Sequence, residues 1–102
     1  MKGERWGPRN WRFLTNHALV LIVIARSPDA RITDIARSLG ITERAVQRII
    51  SELVEAGHVE RHKTGRRNRY EIVRVARFRD PPLRDREIGS LLDALLPESA
   101  MG

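Results

Sequence analysis

The sequence predicts a mostly α domain carrying one small β-hairpin, with an additional helix at its C-terminal end. Three observations carry that expectation. Between residues 14 and 57, apolar residues recur at helical spacing in three segments, punctuated by Pro28, Gly40 and Gly57. Beyond Gly57 the pattern changes to alternation on either side of a turn-like "TGRRN". Past Pro81 and Pro82, which stop a strand, leucines return near helical spacing.

The 102 residues fit one domain, and 41% hydrophobic with 31% charged residues fit a globular chain. The expected organisation is an aromatic arm over 1–13, the three helices and hairpin over 14–75, and a linker with a C-terminal helix over 76–102. The arm holds Trp6, Trp11 and Phe13 among two glycines and a proline, so it reads as irregular chain with apolar docking points. Thr15 or Asn16 can cap the first helix, which runs to about Arg26. Its interior "ALVLIVIA" is apolar on nearly every side, whereas a surface helix needs one apolar stripe. A second subunit is the expected cover for the remaining face. Arg5, Arg9 and Arg12 ahead of this run resemble a secretory leader, but eight apolar residues fall far short of the ~20 that span a bilayer. A cytoplasmic protein without membrane contact is expected.

In the second helix, Thr33 is the expected N-cap, and Ile32, Ile35, Ala36 and Leu39 form the apolar stripe. Gly40 can close it in the left-handed conformation. Thr42 caps the third helix, about Glu43 to Ala56, with Val46, Ile49, Ile50, Leu53 and Val54 inward and Gly57 at its end. The hairpin begins at Val59, and Tyr70 and Ile72 share one face of its second strand. The last helix is expected over "LRDREIGSLLDALL", weakened at Gly89 by ~1 kcal/mol relative to alanine.

Charge is unevenly placed. The net is +6, yet residues 61–79 alone carry eight basic and one acidic residue, net +7. Such a block is a positive field suited to nucleic acid or an anionic membrane. The chain has no cysteine, so disulfides and thiolate metal sites are excluded. His58, Glu60 and His62 alternate and would share a strand face, but exposed polar strand residues explain the trio as well, and no metal is expected. No cofactor is expected either. No nucleophile–base pair, phosphate loop or paired-carboxylate pocket is visible, so an enzyme is not expected.

"IARSLGITERAVQRI" has the features of two helices crossing steeply. The tight turn wants a residue free to take positive φ, here Gly40; the close approach wants a small side chain, here Ala36. Aliphatics such as Val46 seal the crossing. A small residue, a glycine four later and an aliphatic six after that resemble the helix-turn-helix pattern. Followed by a basic hairpin, the segment from Leu14 to Val75 resembles the winged helix-turn-helix domain, in particular the small regulators of the MarR and ArsR groups. "ITERAVQRIISELVEAGHVER" is the most family-like stretch. The resemblance implies a recognition helix in the major groove and a wing on phosphate or in the minor groove.

The residues fit that role. Thr42, Arg44, Ala45, Gln47 and Arg48 project outward from the first two turns of the third helix. Arginine can bind guanine bidentately, glutamine can bind adenine, and Ala45 can touch a thymine methyl. Thr42 and Thr33, beside helix N-terminal amides, suit phosphate. Lys63, Arg66, Arg67, Asn68 and Arg69 are the expected wing contacts. Arg61, Arg74 and Arg77 are left outside that set, because alternation can turn them away. Trp11, Leu19, Ile22, Leu91, Leu92, Leu95 and Leu96 are the expected homodimer contacts. The resulting expectation is a dimeric repressor on a pseudo-palindromic operator in double-stranded DNA. The alternatives are a protein-interaction winged helix and an architectural binder indifferent to sequence.

Overall fold

The computed structural model describes residues 12–96. Its elements are α1 (Asn16–Arg26), α2 (Ile32–Leu39), α3 (Glu43–Glu55), β1 (Val59–Thr64), β2 (Arg67–Ile72), a 3-10 turn (Pro81–Leu83) and α4 (Ile88–Leu95). Three helices, a hairpin and a final helix make the winged-helix architecture with a C-terminal addition, as expected.

Thr15 starts α1, its hydroxyl accepting from the Ala18 amide at 3.2 Å. Val20, Leu21 and Ile24 are buried, and α2, α3 and β2 all pack against this helix. Ile22, Val23 and Ala25 are half-buried against the same core. Much of the cover expected from a second subunit therefore comes from the chain itself, because α1 is the central helix of the domain.

The second helix starts earlier than its sequence suggests. Arg31 occupies the N-cap, and no side chain caps α2. Thr33 lies inside the first turn, where its hydroxyl donates to Glu43 Oε2 at 3.2 Å and ties α2 to α3. At the other end Gly40 is left-handed (φ 71°), and its amide and that of Ile41 both donate to the Ala36 carbonyl. That bifurcated closure turns the chain sharply into α3. Thr42 caps α3 by accepting from the Ala45 amide at 3.0 Å. Val46, Ile49, Ile50 and Leu53 are buried along one side of α3, which joins α1 and α2 in a single core. Fully burying side chains of this size contributes about 1.5–3 kcal/mol each.

The hairpin pairs antiparallel, from Val59 opposite Ile72 to Thr64 opposite Arg67. Its loop is only Gly65 and Arg66, narrower than the five-residue tip expected. Gly65 alone has positive φ (63°), which fits a type II′ turn matched to strand twist. Buried Val59 and Tyr70 define the helix-facing side of the ribbon. The Tyr70 amide donates to the Pro28 carbonyl at 3.1 Å, so the α1–α2 loop runs alongside β2.

The C-terminal segment departs most from expectation. Residues 83–96 do not form one helix: Pro81–Leu83 is a 3-10 turn, and Arg77 bridges Glu87 in extended conformation. Only Ile88–Leu95 is α-helical. Its start is pinned by the Ile88 amide on the Ala76 carbonyl and the Gly89 amide on the Arg74 carbonyl. A Cβ at Gly89 would lie 3.1 Å from both the Cβ and the carbonyl oxygen of Arg74. Glycine stands there because α4 is pressed onto the segment leaving β2. Ile88 and Leu92 enter the central core.

Candidate nucleic-acid interface

Burying one side of α3 leaves the opposite side to solvent. Arg44, Gln47, Arg48 and Ser51 are all exposed there, and none forms a hydrogen bond or ion pair among the described residues. Three of them come from the expected recognition set. Ala45 is half-buried on the flank of this face. Thr42 is exposed, its oxygen engaged by the cap while its hydroxyl proton can still be donated. Thr33 is also exposed, but its hydroxyl is directed at Glu43 rather than outward, because the N-cap of α2 is Arg31, two residues before it.

Along α3 the charge changes sign. Arg44 and Arg48 occupy the first two turns; Glu52 and Glu55 follow, with Glu52 accepting from His17 Nε2 at 2.6 Å. The basic residues of α3 are therefore confined to its N-terminal half, where Glu43 in the first turn offsets part of their charge. A polyanion lying along α3 would be attracted there and repelled beyond it.

The hairpin divides its basic residues between two sides. Arg61, Lys63 and Asn68 share the parity of Val59 and Tyr70 and face the helices, whereas Thr64, Arg67 and Arg69 lie on the other side. Arg67 Nη2 donates to the Asp29 carbonyl at 2.6 Å, and Arg69 Nη1 donates to Asp29 Oδ1 at 2.8 Å. Two of the five expected wing contacts are thus engaged within the protein, bracing the hairpin against the α1–α2 loop. An exposed ion pair such as Arg69–Asp29 is worth at most ~1 kcal/mol, so the brace depends on the set, with the Tyr70 amide included. Lys63, Arg66 and Asn68 have no such partner among the described residues.

Sequence reasoning left Arg61 aside, yet the structure places it beside the exposed face of α3. With Ile32, Gln47, Ile50, Ser51, Asn68 and Tyr70 it lines a groove of about 310 Å³ between helix and hairpin. A usable signal was present: apolar Val59 points inward, so Arg61, two residues on, shares its side.

The alternating trio of His58, Glu60 and His62 does not assemble. His58 precedes β1 and donates from Nε2 to the Arg77 carbonyl at 3.1 Å. Instead Glu71 joins Glu60 and His62, with His62 Nε2 at 3.2 Å from Glu71 and 3.5 Å from Glu60. The register sets the two glutamates directly opposite one another, a destabilising like-charge pair that the bridging imidazole relieves.

Among the expected dimer contacts, Leu92 has no exposed surface and belongs to the chain's own core. Leu19, Ile22, Leu91 and Leu96 are half-buried, and Leu95 is 49% exposed. Trp11 lies outside the described residues. No helix among the described residues is long and apolar enough to cross a membrane.

A model described as MarR family matches residues 13–68, from just before α1 into β2. No curated protein and no solved structure matches the chain. The match covers more than half of the sequence and falls on the three helices and most of the hairpin described above. The chain therefore belongs to the MarR family, whose members are DNA-binding transcription regulators rather than enzymes.

Proposed function

We propose that this protein is a sequence-specific, homodimeric repressor that places α3 in the major groove of a pseudo-palindromic operator and its hairpin on the flanking backbone or minor groove. One observation carries the reading: Arg44, Gln47, Arg48 and Ser51 form an exposed polar face whose groups have no hydrogen-bond or ion-pair partner among the described residues. Arg44 and Arg48 suit guanine O6 and N7, Gln47 suits adenine, and Ala45 approaches a thymine methyl from the flank. Thr42, at the opening of α3, is assigned to phosphate, with Lys63, Arg66 and Asn68 from the wing; Thr33 joins it only if its hydroxyl leaves Glu43. Arg67 and Arg69 hold the wing in place, and contact DNA only if they leave Asp29.

Residues 14–75 supply the DNA-binding unit, while residues 76–102 and the arm over 1–13 serve dimerisation. MarR-family proteins typically form dimers. Leu91 borders an apolar groove with Phe13, Leu14, Leu21 and Leu83, which supports a contact between subunits on this side. Two α3 helices related by a two-fold axis would meet half-sites about one helical turn apart. Repression would follow from covering a promoter in the cytoplasm.

The test is fluorescence anisotropy with genomic fragments selected for binding and with a mixed-sequence duplex, across 50–200 mM KCl. Steep salt dependence with a preference for the selected fragments is the expected result. The same slope without preference would indicate an architectural binder. Absence of binding at 50 mM salt would overturn the proposal.

A further inference from the structure

We propose that Arg61 is a phosphate clamp, gripping the DNA strand that runs between the two grooves occupied by α3 and the hairpin. This rests on the reading of α3 and the hairpin as the duplex-binding surface. In B-DNA the major groove is ~12 Å wide and the minor groove ~6 Å, and a sugar–phosphate strand separates them. A protein with a helix in one groove and a ribbon at the next must let that strand pass between the two elements. In this protein the passage is the groove bounded by Gln47 and Ser51 of α3 and by Arg61 and Asn68 of the hairpin.

Its size and chemistry suit a phosphodiester. About 310 Å³ is roughly ten times the ~30 Å³ share of one water molecule, so the groove admits a phosphate group with part of its hydration. Ile32, Ile50 and Tyr70 form the apolar floor, while Ser51 and Asn68 offer hydrogen-bond donors around it and Gln47 marks the edge toward the base-reading face. Arg61 is the one charged residue of the lining. It is exposed, and it has no hydrogen-bond or ion-pair partner among the described residues.

The contrast with the opposite side of the hairpin sharpens the assignment. There Arg67 and Arg69 have their guanidinium groups committed to Asp29, and Glu60 and Glu71 add negative charge around His62. The side bearing Arg61, Lys63 and Asn68 has basic residues and no carboxylate among β1 and β2. The hairpin is therefore electrostatically two-sided, with its anion-seeking side turned toward α3.

The test uses the full chain and two fluorescein-labelled 30-bp duplexes, one recovered by selection from a random pool and one of mixed sequence. Arg61→Ala should lower affinity at least fivefold at 100 mM KCl, equally on both duplexes, and reduce the salt slope by about one phosphate contact. Arg61→Lys should restore the slope, because a phosphate accepts a point charge. Circular dichroism checks that each variant is folded, as an exposed arginine predicts. If the wild-type protein binds with a steep slope and Arg61→Ala keeps that slope, the clamp is refuted while the DNA-binding function stands. If the wild-type protein ignores both duplexes, the function falls and the clamp with it.

Discussion

Replacing Gly89 by alanine opposes two effects of known sign. In an isolated helix the change stabilises by about 0.5–1 kcal/mol, because glycine loses more backbone freedom on folding. Here the new methyl would meet the Arg74 Cβ and carbonyl oxygen, each at 3.1 Å. The Arg74 carbonyl cannot turn aside easily, since it accepts the Gly89 amide at 3.0 Å. The Arg74 guanidinium is held as well, donating to Asp93 Oδ1 and to the Gly89 carbonyl. Relief requires α4 to lift by a few tenths of an ångström, and overpacking of this kind costs about 1–3 kcal/mol. The expected net effect is a loss of about 1 kcal/mol, or a Tm lower by about 4–8 °C for a domain of this size. Thermal denaturation followed by circular dichroism measures it, with Ser90→Ala, exposed on the same helix, as a control expected within ±0.5 kcal/mol. A Tm above wild type for Gly89→Ala would refute the close approach of α4 to Arg74.

Other changes probe the interface directly. Gln47→Ala should alter base preference at one position of a selected operator, costing about 1–3 kcal/mol there, as read by competition with single-base variants; equal loss on every duplex would argue against a groove contact. Arg66→Ala should weaken binding uniformly and lower the salt slope by about one, and adding Arg67→Ala should lower it no further, because Arg67 is occupied by Asp29. Leu95→Glu should shift sedimentation toward monomer while keeping the circular dichroism spectrum of the folded chain, since Leu95 is 49% exposed; an unchanged sedimentation profile would move the dimer contact elsewhere.

The helix-turn-helix was legible because each of its devices is local. Gly40, Thr42 and the Val46–Leu53 stripe state their roles through φ, a cap and periodicity, all within a few residues. The cap of α2 was not legible. Thr33 has the composition of a cap, but its hydroxyl finds Glu43 ten residues away, and only the folded crossing brings them together. The wing was legible as charge but not as geometry. Nothing near Arg67 or Arg69 in sequence announces Asp29, about forty positions earlier. The side occupied by Arg61, by contrast, was available from the parity of Val59. At the C-terminus, leucine spacing suggested a longer helix than formed, because the Arg77–Glu87 bridge holds residues just before α4 extended. Leu92 shows the same limit: an apolar residue on a helical stripe does not declare whether its neighbour is its own chain or another.

The fastening of β2 to the loop between α1 and α2, through Tyr70, Arg67 and Arg69, braces the separation of α3 and ribbon like a caliper. A duplex gripped by such a jaw has to yield where its own dimensions differ, so the elastic work falls on the nucleic acid. Sites that bend or narrow cheaply would then be held more tightly than stiff ones carrying the same contacted bases. Base pairs that no side chain touches would thereby acquire a vote in where this protein settles.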